Sequence, residues 1–141
     1  MKIAAGIILQ YNNKVLLCHP TNASYTNSFS FPKGGVEEGE DLMEAAIREC
    51  WEETGIKVHK NKLSTNYVVN YFNKKRTNIT KQVTLFLVTV KKLSDINLIS
   101  EVIPTNQLQL DEIDWAGFLT KLECKPKIFW RLEKVLDDIL K

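Results

Sequence analysis

A cluster of glutamates behind a glycine-rich loop sets residues 34–56 apart from the rest of the chain, and this segment reads GGVEEGEDLMEAAIRECWEETGI. Glu49, Glu52 and Glu53 stand at i, i+3 and i+4, so on a helix their carboxylates share one face. Because like charges at this spacing destabilise a helix, the cluster calls for a positive partner. A hard divalent cation such as Mg²⁺ binds carboxylate oxygens and commonly bridges a protein to substrate phosphates. The segment therefore predicts a helix that binds a cation.

The alternative for the glutamates is a solvated helix surface, which is the usual explanation for a short run of charged residues. Two neighbouring features favour a binding site. Paired glycines, Gly34 and Gly35, follow Pro32, and Arg48 stands directly before Glu49. A solvated helix needs neither feature, whereas paired glycines let the backbone turn sharply and approach a ligand closely. We therefore expect a ligand-binding loop ahead of the helix.

The helix itself is predicted over residues 41–54. Glu40 or Asp41 can cap its start, and Gly55 suits the left-handed position that ends a helix. The apolar positions inside the segment predict a buried stripe on a face other than that of the glutamates. This stripe consists of Leu42, Ala45, Ala46 and Cys50.

Apolar runs predict four strands, over residues 3–9, 15–18, 65–72 and 80–90. The first two form a hairpin, because Asn12 and Asn13 tolerate the positive φ of a tight turn. The fourth run is nearly continuous, which is typical of a central strand covered on both faces. Residues 19–30 are expected to form a loop, and residues 126–141 a second amphipathic helix. The order of these elements predicts an α/β fold with a mixed sheet between helices.

Length and composition predict one domain that spans residues 1–141, because no linker or repeat interrupts the chain. The net charge of +2 is too small to imply nucleic-acid binding by itself. Lys74, Lys75, Arg76 and Lys81 nevertheless form a local basic cluster. This cluster is either an ordinary surface loop or a contact for polyphosphate or RNA.

Two further features bear on the compartment. The apolar N-terminal stretch is too short to span a membrane, and no small-residue cleavage pattern follows it. Cys18, Cys50 and Cys124 are odd in number and widely spaced, which supports neither a zinc site nor a disulfide framework. We therefore expect a reduced, cytoplasmic protein without a membrane partner.

The glutamate segment resembles the signature of the Nudix hydrolases, G-x5-E-x7-R-E-U-x-E-E-x-G-U, in which U is an aliphatic residue. Every charged and glycine position of the signature is filled, and Cys50 stands where an aliphatic residue is usual. A free cysteine packs as a small hydrophobe, so a buried helix face tolerates it. The resemblance implies the α/β/α sandwich of that family, with a mixed central sheet.

The resemblance also implies roles for individual residues. Glu49, Glu52 and Glu53 are implied to be catalytic and to bind Mg²⁺, or Mn²⁺ as an alternative, together with a backbone carbonyl near residues 33–35. Glu112, with Asp111 next to it, is the expected additional ligand or general base in an acidic loop before a strand. The residues implied to support the site are Gly34, Gly35, Glu40, Arg48 and Gly55.

The expected reaction is hydrolysis of a pyrophosphate bond in a nucleoside diphosphate linked to another moiety. The Pro-Lys-Gly-Gly sequence of residues 32–35 resembles that of dinucleoside polyphosphate hydrolases and their RNA 5′-pyrophosphohydrolase relatives. Those hydrolases often carry a base-stacking tyrosine at about the place of Tyr71, and Tyr67 lies on the same strand parity. Packing is the alternative role for Tyr71. Lys33 is expected to contact phosphate oxygens.

The leading substrate is therefore a dinucleoside polyphosphate. Alternatives are RNA with a 5′-triphosphate end, a damaged nucleoside triphosphate, and a sugar nucleotide such as ADP-ribose. A hypothesis of another class is a Nudix-fold module that senses a nucleotide without cleaving it. Such modules usually lose catalytic glutamates, and all of them are present in this chain. The sequence leaves the oligomeric state open.

Overall fold

Six strands form one mixed sheet in the computed structural model, which describes residues 1–141. The strands are β1 (Lys2–Tyr11), β2 (Lys14–Pro20), β3 (Lys33–Gly35), β4 (Asn66–Phe72), β5 (Ile79–Val90) and β6 (Ile113–Thr120). The helices are α1 (Leu42–Thr54), α2 (Lys121–Cys124) and α3 (Glu133–Ile139), and four short 3-10 turns lie between them. The sheet order is β4-β5-β1-β2-β6, and β3 pairs with β1. None of the helices is long and apolar enough to cross a membrane.

Strand β1 organises the sheet because its two edges have different partners. One edge pairs in parallel with β5 from Lys2 to Tyr11. On the other edge, the short β3 pairs antiparallel with the start of β1, and β2 pairs with β1 at the hairpin end. The segment before α1 therefore enters the sheet between β1 and β2, and β3 places its glycines against α1.

Two buried clusters of apolar side chains cover the two faces of the sheet. One cluster joins β1 and β5 to the buried stripe of α1, and the other packs the opposite face against the C-terminal segment that contains α3. In β5, Val83 and Leu85 belong to one cluster, and Phe86 and Val88 to the other. The mixed sheet between helices is confirmed, as is the covering of β5 on both faces.

Both ends of α1 carry the predicted caps. The Asp41 side chain accepts a hydrogen bond from the Glu44 N–H at 3.3 Å, and Gly55, with a φ of 72°, donates to the Trp51 carbonyl at 2.8 Å. The buried stripe differs from the prediction at both of its ends. Leu42 is 36% exposed, whereas Glu53 is buried on the side of the helix that faces β3.

The second predicted helix, over residues 126–141, is wrong in its first half. A 3-10 turn occupies Trp130–Leu132, and α3 begins only at Glu133. The Phe129 N–H donates to the Phe29 carbonyl, and the Trp130 N–H donates to the Asn27 side chain. Because loop 27–29 takes these backbone hydrogen bonds, the chain does not continue them into a helix.

The sharp turn predicted at Gly34 and Gly35 is also absent. Neither glycine has a positive φ, and both lie in the extended strand β3. Pairing with Ala4 and Ala5 of β1 holds this segment straight. The predicted strands and hairpin are otherwise present, with boundaries shifted by one to a few residues.

Candidate active site

The Arg48 guanidinium connects the acidic residues of α1 to the segment before it. Its Nε and Nη2 atoms donate to the two carboxylate oxygens of Glu40 at 2.8 and 3.0 Å. Nη1 donates to Glu49 at 2.9 Å and to Glu52 at 3.2 Å, and Nη2 also donates to the Gly35 carbonyl at 3.0 Å. The hydrogen bonds from Arg48 lower the pKa of Glu40 to about 2. One side chain thereby joins α1, β3 and the connecting loop.

Glu49 lies against the backbone of β3. Its side chain is 12% exposed, and burial raises the pKa of its carboxyl, while the neighbouring Arg48 charge opposes that rise. A Cβ atom at Gly34 would collide with this carboxylate. Glycine at position 34 is therefore required by the close approach of Glu49, and not by a backbone turn.

Glu53 is the most buried acidic group of the cluster, at 5% exposure. Burial raises its pKa to about 8, and the nearby Glu49 charge adds to the rise. The Lys33 N–H makes a long contact of 3.4 Å with one Glu53 oxygen, and no cationic side chain lies within ion-pair distance of Glu53. The charged form of Glu53 is therefore poorly compensated.

Lys33 lies in β3 opposite Gly6 of β1. Burial lowers its pKa to about 8, with a further contribution from the neighbouring Lys81 ammonium. A Cβ atom at Gly6 would lie 2.6 Å from the Lys33 Cβ and 3.0 Å from Leu85 Cδ2. Gly6 thus makes room for the strand that carries Lys33. The sequence analysis missed this position, although a glycine inside an apolar strand often marks a close backbone approach.

Glu112 lies on the same side of the molecule as Glu53. The two glutamates and Lys33 line a small cleft of about 130 Å³. The Thr21 N–H donates to the Glu112 carbonyl at 2.9 Å, and the Gln109 N–H donates to the Glu53 carbonyl at 3.1 Å. These bonds connect the Glu112 turn to β2 and to the end of α1. Asp111 is exposed and does not line the cleft.

Tyr71 is not part of that cleft. It lies in β4 opposite Lys81 of β5, and its partly buried ring packs 5.7 Å from the ring of Phe129. The Lys81 ammonium and the Arg131 guanidinium lie 5.4 and 5.7 Å from the Tyr71 ring centre. The Tyr67 hydroxyl donates to Asp138 at 2.6 Å. Lys81 is therefore a neighbour of both the Tyr71 ring and Lys33. The stacking of Tyr71 on a base stays a prediction.

The donor set of the cluster fits a hard divalent cation in its chemistry. In the side-chain arrangement of the structure, no three acidic, histidine or cysteine side chains converge as a ligand set, because Arg48 binds Glu49 and Glu52. Burial nevertheless raises the pKa values of Glu49 and Glu53, two neighbouring carboxylates of which only Glu49 has a cationic partner. A divalent cation would compensate these buried carboxylate charges, and carboxylate oxygens suit Mg²⁺ and Mn²⁺.

Comparison with known proteins shows the family of the chain. The family model described as the NUDIX domain matches residues 1–122. The chain belongs to the Nudix family. Its Nudix signature lies in the cluster around Arg48: this side chain contacts the signature glutamates Glu40, Glu49 and Glu52, and Gly34 contacts Glu49.

Curated Nudix relatives match part of this chain. An RNA pyrophosphohydrolase of Cereibacter sphaeroides is 41% identical over 51 residues, which cover 36% of this chain and 32% of the relative. An ADP-ribose pyrophosphatase of Methanocaldococcus jannaschii is 41% identical over 54 residues, or 38% and 32% of the two chains. An 8-oxo-dGTP diphosphatase of Escherichia coli is 39% identical over 57 residues, or 40% and 44%. The aligned part thus spans about a third to under half of these relatives.

Solved structures extend the likeness to nearly the whole chain. An Ap4A hydrolase of C. elegans superimposes with a TM-score of 0.68 at 21% identity, covering 97% of this chain and 93% of that one. A MutT NUDIX hydrolase of Burkholderia pseudomallei gives a TM-score of 0.72 at 16% identity, covering 99% and 98%. At these identities the likeness establishes the Nudix fold alone.

Proposed function

We propose that this Nudix chain hydrolyses a pyrophosphate bond in a nucleoside diphosphate linked to another moiety, with the help of a divalent cation. The observation that carries the proposal is the placement of Glu53 beside Glu49, Lys33 and Glu112, with its pKa raised by burial. Perturbed carboxylates in a cleft are typical of functional sites. That all the signature glutamates are present supports an enzyme over a module that only senses nucleotides.

The proposed roles follow from the contacts of each side chain. Glu49, Glu52 and Glu53 would hold Mg²⁺ or Mn²⁺, which supplies neutralisation of phosphate charge and activation of water. Arg48 fixes Glu49 and Glu52 by charge-assisted hydrogen bonds.

Glu112 is the proposed general base. Its carboxylate would accept the proton of the water whose oxygen forms the new bond to phosphorus. The bridging P–O bond breaks, and the other phosphate-bearing half of the substrate leaves with the bridging oxygen. Lys33 would donate to the phosphate oxygens from its place in the cleft.

The leading substrate is a dinucleoside polyphosphate. Tyr71 supports it as the candidate for base stacking, because the ring is connected to Lys33 through Lys81. RNA with a 5′-triphosphate end is a second candidate. The β4–β5 hairpin near Tyr71 carries basic residues without acidic partners, and these would contact the phosphates of an RNA chain. A nucleoside triphosphate and ADP-ribose complete the panel to be tested.

A product-release screen over this nucleotide panel, with Mg²⁺ or with excess EDTA, tests the proposal directly. We expect turnover of at least one compound that depends on the divalent ion. Tight binding of a nucleotide without turnover under any metal condition would instead support the sensing module.

Substitution of Tyr71 separates the substrate classes. If its ring stacks on a base, Tyr71→Ala raises KM for a dinucleoside polyphosphate by about 5- to 150-fold, which corresponds to about 1–3 kcal/mol of stacking. The value of kcat changes little, because stacking binds ground and transition states alike. Tyr71→Phe keeps the ring and is the matched control.

The measurements are KM and kcat of both Tyr71 variants, with thermal melts alongside. An unchanged KM for a folded Tyr71→Ala protein would remove the stacking role. A lowered melting temperature without a selective KM effect would show that the ring acts through its packing on Phe129.

We also propose that residues 1–141 form one domain and that the protein is cytoplasmic. Residues from both ends of the chain share one buried cluster, in which Ala4 and Ile8 pack with Leu136 and Leu140. The three cysteines are free and buried, which fits a reducing compartment.

A further inference from the structure

A group of cationic side chains without acidic partners surrounds the β4–β5 hairpin and the 3-10 turn at residues 130–132. The chain's ion pairs involve other basic residues. Of the nearby acids, Asp137 is paired with Lys121 and Lys125, Asp138 accepts from Tyr67, and Glu133 alone is unpaired. The unpaired cations are Lys74, Lys75, Arg76, Lys81, Arg131 and Lys134. This surface is therefore complementary to a polyanion.

Aromatic rings lie among these cations. The Arg131 guanidinium lies 4.3 Å from the ring centre of Trp130, and 5.7 and 5.8 Å from those of Tyr71 and Phe72. Arg76 lies 5.6 Å from the ring centre of Phe72. Trp130 is 51% exposed, so part of a large flat ring faces solvent beside a positive charge. Such pairs of ring and cation suit stacking of a base next to its phosphate.

The same residues line a groove of about 780 Å³ between β4 and the C-terminal segment. Phe72, Arg76, Trp130, Arg131 and Lys134 contribute aromatic and basic side chains to it. Asp138 is the one acidic residue of the lining, so the three basic side chains leave the groove positively charged overall. The groove is therefore concave, positively charged and partly aromatic, unlike a flat basic surface.

A series of neighbouring side chains connects the groove to the glutamate cleft. Lys33 lines the cleft with Glu53, and its ammonium neighbours that of Lys81. Lys81 contacts the ring of Tyr71, and Arg131 contacts the same ring. A row of positive charges thus leads from Glu53 to the groove without an intervening carboxylate among these contacts.

We propose that the groove formed by Phe72, Arg76, Trp130, Arg131 and Lys134 binds a single-stranded polynucleotide. A base stacks on Trp130, and the adjacent phosphates contact Arg76, Arg131 and Lys134. A single strand fits better than a duplex, because the bases of a duplex are not free to stack on a side chain. Binding in the groove is independent of the proposed hydrolysis, whereas delivery of a 5′ end to Glu53 rests on that proposed function.

Fluorescence anisotropy with labelled single-stranded oligonucleotides that carry a 5′-hydroxyl tests the groove without hydrolysis. RNA and DNA of the same sequence, each titrated in EDTA, distinguish the two sources of a single strand. We expect Trp130→Ala to weaken binding by about 5- to 150-fold, the equivalent of one stacked base. Trp130→Phe keeps a ring and should retain most of the affinity.

Charge variants provide an independent test. Arg76→Gln combined with Lys134→Gln should lower the slope of log K against log salt by about 0.7 for each phosphate that the variant no longer neutralises. Lys91→Gln combined with Lys92→Gln removes the same charge from an exposed site outside the groove and is the matched control. Thermal melts establish that each variant is folded.

Several results would overturn the proposal that the groove binds a single-stranded polynucleotide. One is the absence of binding by the wild type at low salt, and another is equal affinity of the folded Trp130 and charge variants. Equal affinity for an RNA duplex, insensitive to Trp130→Ala, would point to general charge attraction instead. Metal-dependent hydrolysis of a small nucleotide would persist in each of these cases. Conversely, binding that depends on the groove residues, without hydrolysis of any nucleotide, would reject the proposed hydrolysis and support the proposed binding.

Discussion

Glu53 combines two properties that rarely coexist in a structural residue: deep burial and the absence of an ion-pair partner. If this carboxylate is a cation ligand, Glu53→Gln keeps its shape but removes a charged oxygen. We therefore expect kcat to fall by several orders of magnitude while the protein stays folded. Steady-state kinetics at saturating Mg²⁺ measure the effect. A near-normal kcat would assign the essential ligand to another carboxylate.

The same substitution has a pH-dependent effect on stability. The pKa of Glu53 rises from its ordinary value of 4.5 to about 8 on folding. Between these values the folded state retains a proton that the unfolded state has lost, so stability falls as the pH rises through this window. Glu53→Gln cannot lose a proton and escapes the penalty. Its melting temperature in EDTA should exceed that of the wild type by a margin that grows from about pH 4.5 to pH 8.

Exposed Glu38 offers the matched control for these melts. Glu38→Gln removes a carboxylate from the same segment without a burial penalty, so its melting temperature should follow that of the wild type at every pH. A margin for Glu53→Gln that does not change with pH would contradict the raised pKa of Glu53.

Among the elements, β3 is where sequence and structure differ most instructively. The glycine pair was expected to turn, yet β1 captures it as an extended strand. Local residue preferences could not show this, because the pairing partners lie about thirty residues earlier in the chain. In contrast, the caps and the polar face of α1 follow from residues within a few positions of one another, and these were predictable.

A pair of glycine substitutions tests how β3 is held. At Gly6 an added methyl group meets the Pro32 carbonyl and the Lys33 Cβ, so Gly6→Ala should destabilise the protein by about 1–3 kcal/mol. At Gly35 a Cβ meets nothing within 4 Å and φ is not positive, so Gly35→Ala should change stability by about 0.5 kcal/mol at most. Denaturant unfolding of the two variants measures both effects.

Gly6→Ala should also lower activity, because β3 carries Lys33 and the carbonyl bound by Arg48. Equal losses of stability at Gly6 and Gly35 would contradict the role of Gly6 in making room for β3.

On the scale of the whole molecule, the sequence predicted the sheet between helices because its apolar runs and its amphipathic helix have clear periods. It did not predict that residues 126–132 run beside loop 27–29, a contact between segments about a hundred residues apart. The same limit applies to the groove. Arg131 and the β4–β5 hairpin are far apart in the sequence, and only folding brings Arg131 against the rings of Tyr71 and Phe72.

Metal dependence is a property of the whole protein as well as of its site. Activity should vanish in EDTA and return with Mg²⁺ or Mn²⁺. An ion that binds the folded state alone also stabilises it, by about 2.7 kcal/mol at 100 times its Kd. Thermal melts should therefore shift upward with Mg²⁺ in the wild type and less in Glu53→Gln. Undiminished turnover in excess EDTA would reject the proposed metal mechanism. Equal Mg²⁺-induced shifts in the melting temperatures of the wild type and Glu53→Gln would show that Glu53 is not a ligand of the ion.

The contacts of Arg48 have a consequence for the measured metal affinity. Its guanidinium already binds Glu49, Glu52 and the Gly35 carbonyl, and these two glutamates are among the proposed ligands of the ion. If the ion binds these glutamates, Arg48 both positions them and competes with the ion, as a cation that the fold holds beside the same ligands. A metal titration would then measure the exchange of the Arg48 guanidinium for the divalent ion. The apparent affinity would reflect the difference between the binding free energies of these two cations.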